Sequence, residues 1–240
     1  MVGVPWTRLC DISAAAMPPV RALAALVCVF AVAAVTPGTR LDAISQVSPS
    51  PDITVEVGRS PTKGSRAAAI AIVEYADFQC PHCASFFLDT LPALDARYLK
   101  TGRAMLVFKH KPISTLHPDA VMAATSAECA GEQGQFWLMH DALFSNQQNL
   151  SRPSLLQRAT RLALDTQSFE GCLDRESRRV KDDIAEATAL KITGTPTFLI
   201  GTLKANRVHV RQRIEGARPI AVFQTALDDL LAEGVTAPPR

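Results

Sequence analysis

Ile70-Ala-Ile-Val-Glu-Tyr-Ala-Asp-Phe-Gln-Cys80-Pro-His-Cys83, followed by Ala84-Ser-Phe-Phe-Leu-Asp-Thr-Leu91, runs an apolar strand pattern into a helix-forming one and leaves a cysteine pair at the junction. A helix leaves its first N–H groups without internal partners and carries partial positive charge there, so a cysteine at position 80 has its thiolate favoured over its thiol. Pro81 suits the first helical position, where a missing donor and a fixed φ cost nothing. Cys83 falls three residues on, along the same helix face and within reach of a disulfide. His82 adds an imidazole beside the pair. All of these lower the pKa of Cys80, and a stable thiolate makes the corresponding disulfide a strong oxidant. The segment predicts redox chemistry, with Cys80 as the exposed nucleophile and Cys83 as the buried resolving thiol.

No second CxxC exists to complete a four-cysteine zinc site. The segments Glu74-Tyr-Ala-Asp-Phe-Gln-Cys-Pro-His-Cys83, Ala127-Glu-Cys-Ala130, Gly134-Gln-Phe-Trp-Leu-Met-His-Asp-Ala-Leu-Phe144, Phe169-Glu-Gly-Cys-Leu173 and Gly194-Thr-Pro-Thr-Phe198 follow one another in this order. Together they resemble the DsbA-like branch of the thioredoxin superfamily, over roughly residues 52 to 233. The resemblance implies an α/β thioredoxin fold with an inserted all-helical domain. It also implies a cis Thr195–Pro196 bond facing the cysteine pair, with Thr195 and Pro196 binding substrate, and no metal or organic cofactor. The activity implied is that of an exported thiol:disulfide oxidoreductase, foremost a dithiol oxidase. Its partners would be unfolded or reduced exported proteins and a membrane quinone-linked partner that re-oxidises the pair.

With 240 residues and 48% hydrophobic character the chain can bury a sizeable core. Its formal net charge of +2 comes from the N-terminal quarter, leaving residues 67–240 neutral, so nothing argues for nucleic acid. Arg21 precedes a 14-residue apolar run, Ala22 to Val35, too short for a span of about 20 residues but right for the core of a signal peptide. Ala31-Val32-Ala33 offers a cleavage site, and Met17-Pro-Pro-Val-Arg21 fits a signal start better than the sixteen residues before it, among them Asp11. Translation is expected to begin at Met17, and an uncleaved membrane anchor is the alternative. Cys10 and Cys28 then leave with the signal, and four cysteines remain in a compartment where disulfides persist. The expected second pair is a structural disulfide between Cys129 and Cys172, tying two helices of the insertion.

Read with the resemblance, the chain divides into a signal peptide at 1–33, a linker at 34–51, a first thioredoxin half at 52–116, a helical insertion at 117–190, a second half at 191–233 and a disordered tail at 234–240. Strands are expected at Ile53 to Val57 and Arg103 to Phe108, with a helix from Cys83 to about Lys100 kinked at Pro92. Pro118-Asp119 starts a helix whose buried stripe reads Val121, Thr125, Cys129. Ser154-Leu-Leu-Gln157 reads as a capping box. Arg207, His209, Arg211 and Arg213 alternate along a strand Arg207 to Ile214 and are expected on one solvated face. A final amphipathic helix runs from about Pro219 to Ala232.

Glu74 lies on a buried strand, where an unpaired carboxylate is costly and its pKa rises, so it is the candidate proton shuttle for Cys83. Asp77 reads as a turn residue, His117 as part of a connection and His140 as a core histidine. Two other readings stay open: a reductase or isomerase on the same site, and a binding or holdase module that captures unfolded segments without turnover.

Overall fold

Alternate residues of strand β4 (Ile70–Ala76) feed two different cores, as the period of two in an extended chain requires. Ile70 and Ile72 join one apolar cluster, and Ala71, Val73 and Tyr75 join another on the opposite face. All seven residues are buried, which marks a strand with neighbours on both edges and cover on both faces. The computed structural model describes residues 48–49, 53–175 and 177–234, and within it β4 pairs parallel with β5 (Ala104–His110) and antiparallel with β6 (Thr197–Lys204). Strand β7 (Arg207–Glu215) forms a hairpin with β6 through Ala205 and Asn206, both at positive φ. Short strands β1 (Ser48–Pro49) and β2 (Thr54–Glu56) add to β7, and β3 (Thr62–Gly64) adds antiparallel to β5. The sheet order is β1-β7-β6-β4-β5-β3. The expected signal peptide, nearly all of the linker and the last six residues lie outside the described residues.

The helical run α1, residues 81–99, crosses between the parallel strands β4 and β5, the connection such a pair demands. It alternates α-helical and π-helical turns: Pro81–Ser85, Phe86–Thr90, Leu91–Leu94 and Asp95–Leu99. Pro92 has no N–H to donate and its ring crowds the carbonyl four residues back. The turn before it widens, so that Leu91 N–H donates to Phe86 O. On one face of the sheet α1 packs with α7 (Ile220–Ala232) through Phe86, Leu94, Phe223 and Leu227. Phe86, Phe198 and Phe223 meet with ring centroids 4.5, 5.5 and 4.9 Å apart.

Five helices lie between β5 and β6: α2 (Ala120–Glu132), α3 (Phe136–Phe144), α4 (Arg152–Arg161), α5 (Thr166–Leu173) and α6 (Arg178–Ala189). Four of them, α2 to α5, contribute Ala127, Met139, Leu155 and Phe169 to one cluster that also takes in Phe78, Cys80 and Cys83, so helical insertion and thiol site share a core. A disulfide joins Cys129 of α2 to Cys172 of α5, with Cα atoms 5.7 Å apart. Helix α6 covers the opposite sheet face through Ala187. Tyr75 Oη donates to Glu186 at 2.5 Å, and buried Lys109 pairs with Asp183 at 3.4 Å and Glu186 at 3.1 Å.

Several sequence expectations change. Helix α4 starts at Arg152 with Ser151 as its extended N-cap, because Pro153 already fits the first turn, so Ser154 is inside the helix rather than its cap. In α2 Thr125 and Cys129 are buried as expected, but Val121 is exposed, and Ala120, Ala123, Ala127 and Ala130 widen the buried face. Ser48–Pro49, within the expected linker, is a strand on β7. The basic residues of β7 do not share one face. A bulge lies where Ile200 pairs with Gln212 and Gly201 with Val210, which leaves Arg211 without an opposite residue and exchanges the faces beyond it. Val208 and Val210 therefore join one core and Ile214 the other, Arg211 reaches Glu233, and Arg213 caps the carbonyls of Leu190 and Lys191. Gly201 permits the bulge: a Cβ there would stand 1.9 Å from His209 O.

Candidate active site

The turn from Asp77 to Cys80 is tied down on several sides. Asp77 accepts from its own turn, Gln79 N at 2.8 Å, while Cys80 N donates to Asp77 O at 3.1 Å. This is the local side-chain bond that makes aspartate a turn residue. The second carboxylate oxygen leaves the turn, accepting from Ile113 N at 2.7 Å and facing His117 Nδ1 at 2.8 Å. Asp119 N donates to Gln79 Oε1 at 2.9 Å. Segment 111–119, which leads from β5 into the helices, is thereby fastened beside the cysteines, and His117 has a specific partner in Asp77.

Cys80 is the N-cap of α1, with extended φ −75° and ψ 122°, and Pro81 occupies the first turn. Its sulfur is covered: Cys80 is 5% exposed, against 0% for Cys83. The cover is Thr195–Pro196, a cis peptide, and in the thiol form Cys80 Sγ donates to Thr195 O at 3.4 Å. The expectation of an openly exposed Cys80 gives way to a sulfur shielded by this loop, while the neighbours Pro81 and His82 are exposed. The loop is held by Thr197 Oγ1 donating to Gly194 O at 2.8 Å and Gly216 N donating to Pro196 O at 2.8 Å.

The two thiols diverge in acidity. A hydrogen bond from the Cys83 thiol is the largest influence on Cys80, and with contributions from Thr195 and the backbone N–H groups of Cys83 and His82 it outweighs burial and brings the pKa down to about 5. The Thr195 hydroxyl is buried and makes no regular hydrogen bond, yet it lies close enough to the sulfur to lower it. Histidine 82 acts through its main chain, as one of the free N–H groups at the helix start. Burial, reinforced by Cys80, pushes the Cys83 thiol well above the usual cysteine value, although Asp77 N donates to its sulfur at 3.5 Å.

Glu74 is 1% exposed and its Oε2 has no partner. Its strand neighbours are Phe108 and Phe198, which offer nothing to bond, and burial pushes its pKa up to about 8. The carboxyl is close enough to Cys83 to raise that thiol further. His140 is buried against Phe78, Phe108, Trp137 and Phe144, at 5.7, 5.1, 4.9 and 4.9 Å between centroids, with Asp141 as its bonding partner at 2.7 Å. Burial holds its pKa down, so it is a neutral core histidine behind the site. Sequence reading missed Gln147, whose Nε2 donates to Phe78 O at 2.9 Å and Cys80 O at 2.8 Å. Its signal was weak, a polar Asn146-Gln-Gln-Asn149 run between helices.

A thioredoxin family profile matches residues 56–228. Among solved structures, the chain is similar to Wolbachia pipientis alpha-DsbA1 at 26% identity and a TM-score of 0.63, over 74% of this chain and 93% of that one. It is similar to Pseudomonas aeruginosa DsbA2 at 26% identity and a TM-score of 0.56, over 70% and 92%. The fold also matches Bacillus subtilis BdbD, at 20% identity and a TM-score of 0.61 over 72% and 93%. Curated relatives carry a different name. The Na(+)/H(+) antiporter NhaA 3 of Salinispora tropica is 36% identical over 188 residues, 78% of this chain but 28% of the relative. NhaA 1 of Salinispora arenicola is 37% identical over 62% of this chain and 22% of its own length. The chain thus spans about a quarter of the length of the curated relatives it matches.

Proposed function

The chain belongs to the thioredoxin family, in its DsbA-like form, and on that premise we propose that it is a thiol:disulfide oxidoreductase that acts as a dithiol oxidase on exported proteins. The observation that carries the direction is the split between the two thiols, Cys80 lowered to about 5 and Cys83 raised. A thiolate on Cys80 exists only in the reduced enzyme. Stabilising it stabilises the reduced form and makes the disulfide the stronger oxidant.

In the cycle, a substrate thiolate attacks Sγ of Cys80 in the oxidised pair. The Cys80–Cys83 bond breaks, its electron pair leaves on Cys83, and a mixed disulfide joins substrate to Cys80. Cys83, unfavourable as a buried anion, takes a proton, and the neutral carboxyl of Glu74 is the nearby donor. A second substrate thiolate then attacks the substrate sulfur of the mixed disulfide and expels Cys80 as the better leaving group. Two electrons have passed from the substrate dithiol to the enzyme dithiol, and a membrane quinone-linked partner would remove them. Backbone groups of Thr195 beside Pro196 pair with the extended substrate segment, a strand-addition mode that tolerates many sequences.

The antiporter relatives fit this reading through a shared module. A match of 188 residues necessarily overlaps most of 56–228. Among the described residues no helix is long and apolar enough to cross a membrane. We assign the shared stretch to thiol chemistry and not to ion transport, and the much longer relatives favour a working place beside a membrane. Export through the N-terminal apolar segment, cleaved or kept as an anchor, completes the proposal.

The test is oxidation of a reduced, unfolded protein by the oxidised chain, together with the equilibrium potential of the pair. One substrate disulfide per oxidised enzyme, a potential above the roughly −270 mV of thioredoxin and complete loss in Cys80→Ser are expected. A potential at or below thioredoxin's would favour the reductase reading, and reshuffling of a scrambled disulfide protein in place of net oxidation would favour the isomerase. Binding of unfolded chains that survives Cys80→Ser without any oxidation would favour the holdase.

A further inference from the structure

We infer that Gln147 is a positioning residue of the thiol site, through which the helical insertion holds Cys80 in its reactive conformation; this rests on the reading of Cys80 and Cys83 as the exchanging pair. Gln147 uses both hydrogens of its amide on the active-site turn, one on Phe78 O at 2.9 Å and one on Cys80 O at 2.8 Å. Phe78 O accepts no other hydrogen bond among the described residues. Cys80 O is the N-cap carbonyl and also accepts from Cys83 N at 3.1 Å and Ala84 N at 3.2 Å. The amide therefore clamps the Phe78–Gln79 and Cys80–Pro81 peptides and fixes the ψ of Cys80 at the angle that leaves its sulfur within reach of the backbone N–H groups of His82 and Cys83. It also sets the positive end of a dipole against the carbonyl oxygen of Cys80 itself, the residue on which the charge forms. Both effects favour the thiolate.

Gln147 can hold this position because its loop is itself held. Arg158, 7% exposed on α4, donates to the carbonyls of Ala142, Asn146 and Asn149, the last two at 2.7 and 3.0 Å. These carbonyls flank Gln147 in sequence, so the ordering of the loop is met by a buried guanidinium and the glutamine needs only to lose its side-chain freedom. The chain of contacts runs from α4 through Arg158, the 145–149 loop and Gln147 to the N-cap of α1. Gln147 bonds the main-chain carbonyl of Cys80 and not its sulfur, so its action is positional.

The experiment uses the full chain with Gln147→Leu, which keeps the volume and removes both donors. Gln147→Glu, which keeps polarity but turns an acceptor toward two carbonyl oxygens, serves as the second variant. Gln148→Leu, one residue on and exposed, is the control. Thiolate absorbance of the reduced protein against pH is the primary readout, with the equilibrium constant against a reference dithiol as the second. Cys80 of the parent is about half ionised near pH 5; in Gln147→Leu the ratio of thiolate to thiol at that pH should fall about threefold, the loss expected for one neutral hydrogen bond of roughly 0.7 kcal/mol. The equilibrium constant for oxidising the dithiol should fall by a similar factor. Gln147→Glu should fall further, and Gln148→Leu should match the parent. Thermal midpoints within a few degrees of the parent separate a positioning effect from lost folding. If Leu fails to fold, the Glu variant decides. An unchanged Cys80 titration in the folded Gln147 variants overturns the inference and leaves the proposed function standing. A parent that oxidises no dithiol overturns the proposed function, while the titration still reads Gln147.

Discussion

Glu74→Gln should abolish a stability loss that the parent suffers as pH rises. The carboxyl is enclosed between Phe108 and Phe198 without a partner for Oε2, and burial moves its pKa from 4.5 to about 8. The unfolded chain releases this proton near 4.5 and the folded chain holds it until about 8. Between those values the native state binds more protons than the unfolded state, and stability falls with pH at up to 1.36 kcal/mol per pH unit. The stability of the neutral form is therefore complete below pH 4.5 and lost progressively up to pH 8, to a limit of about 5 kcal/mol. That is a large share of the 5–15 kcal/mol typical of a domain. Glutamine keeps the shape and cannot ionise. The assay is urea unfolding at pH 4, 6 and 8 on the oxidised protein, in which Cys83 does not titrate and the carboxyl is read alone. Parent and variant should differ by a constant at pH 4 and diverge by several kcal/mol at pH 8, with the variant the more stable. Curves that stay parallel from pH 4 to 8 would refute the burial argument, and with it the neutral Glu74 donor in the exchange cycle.

Removing the Cys129–Cys172 bridge with paired alanines frees a loop of 43 residues, and the chain-entropy relation puts the loss at about 4 kcal/mol; calorimetry should show a midpoint lower by roughly 10 °C, and an unchanged midpoint would contradict this. Gly201→Ala forces a Cβ to 1.9 Å from His209 O, so the β6–β7 bulge must open at a cost of at least about 2 kcal/mol. A variant as stable as the parent in urea would show that the bulge is not constrained there.

Much of this protein is legible in its sequence because the signals are local. The strand-to-helix junction, proline at the first helical position and the three-residue spacing of Cys80 and Cys83 each follow from bonding within one turn. The unbroken apolar run of β4 already announces a buried strand, and it places Glu74 where no water can reach it. Short-range rules also misjudge some ends. Ser154 looks like a cap, yet Pro153 lets the helix begin at Arg152. The alternating basic residues of β7 look like one face until a bulge set by Gly201 and His209, eight residues apart, exchanges the faces.

The acidity of the site belongs to another scale. Cys80 is lowered by Cys83 and by Thr195, which is 115 residues away along the chain, and is turned into place by Gln147, 67 residues away. Asp77 reads correctly as a turn residue, but its second oxygen holds Ile113 and His117, which no pattern in the turn reveals. The side chain of His82 looks decisive in sequence, while the fold uses its main chain. Periodicity and helix ends are set by neighbours within a few bonds and are written in order along the chain. A thiol's proton affinity is set by whatever dipoles and apolar atoms lie within a few ångströms, and only the closed tertiary structure decides which ones those are.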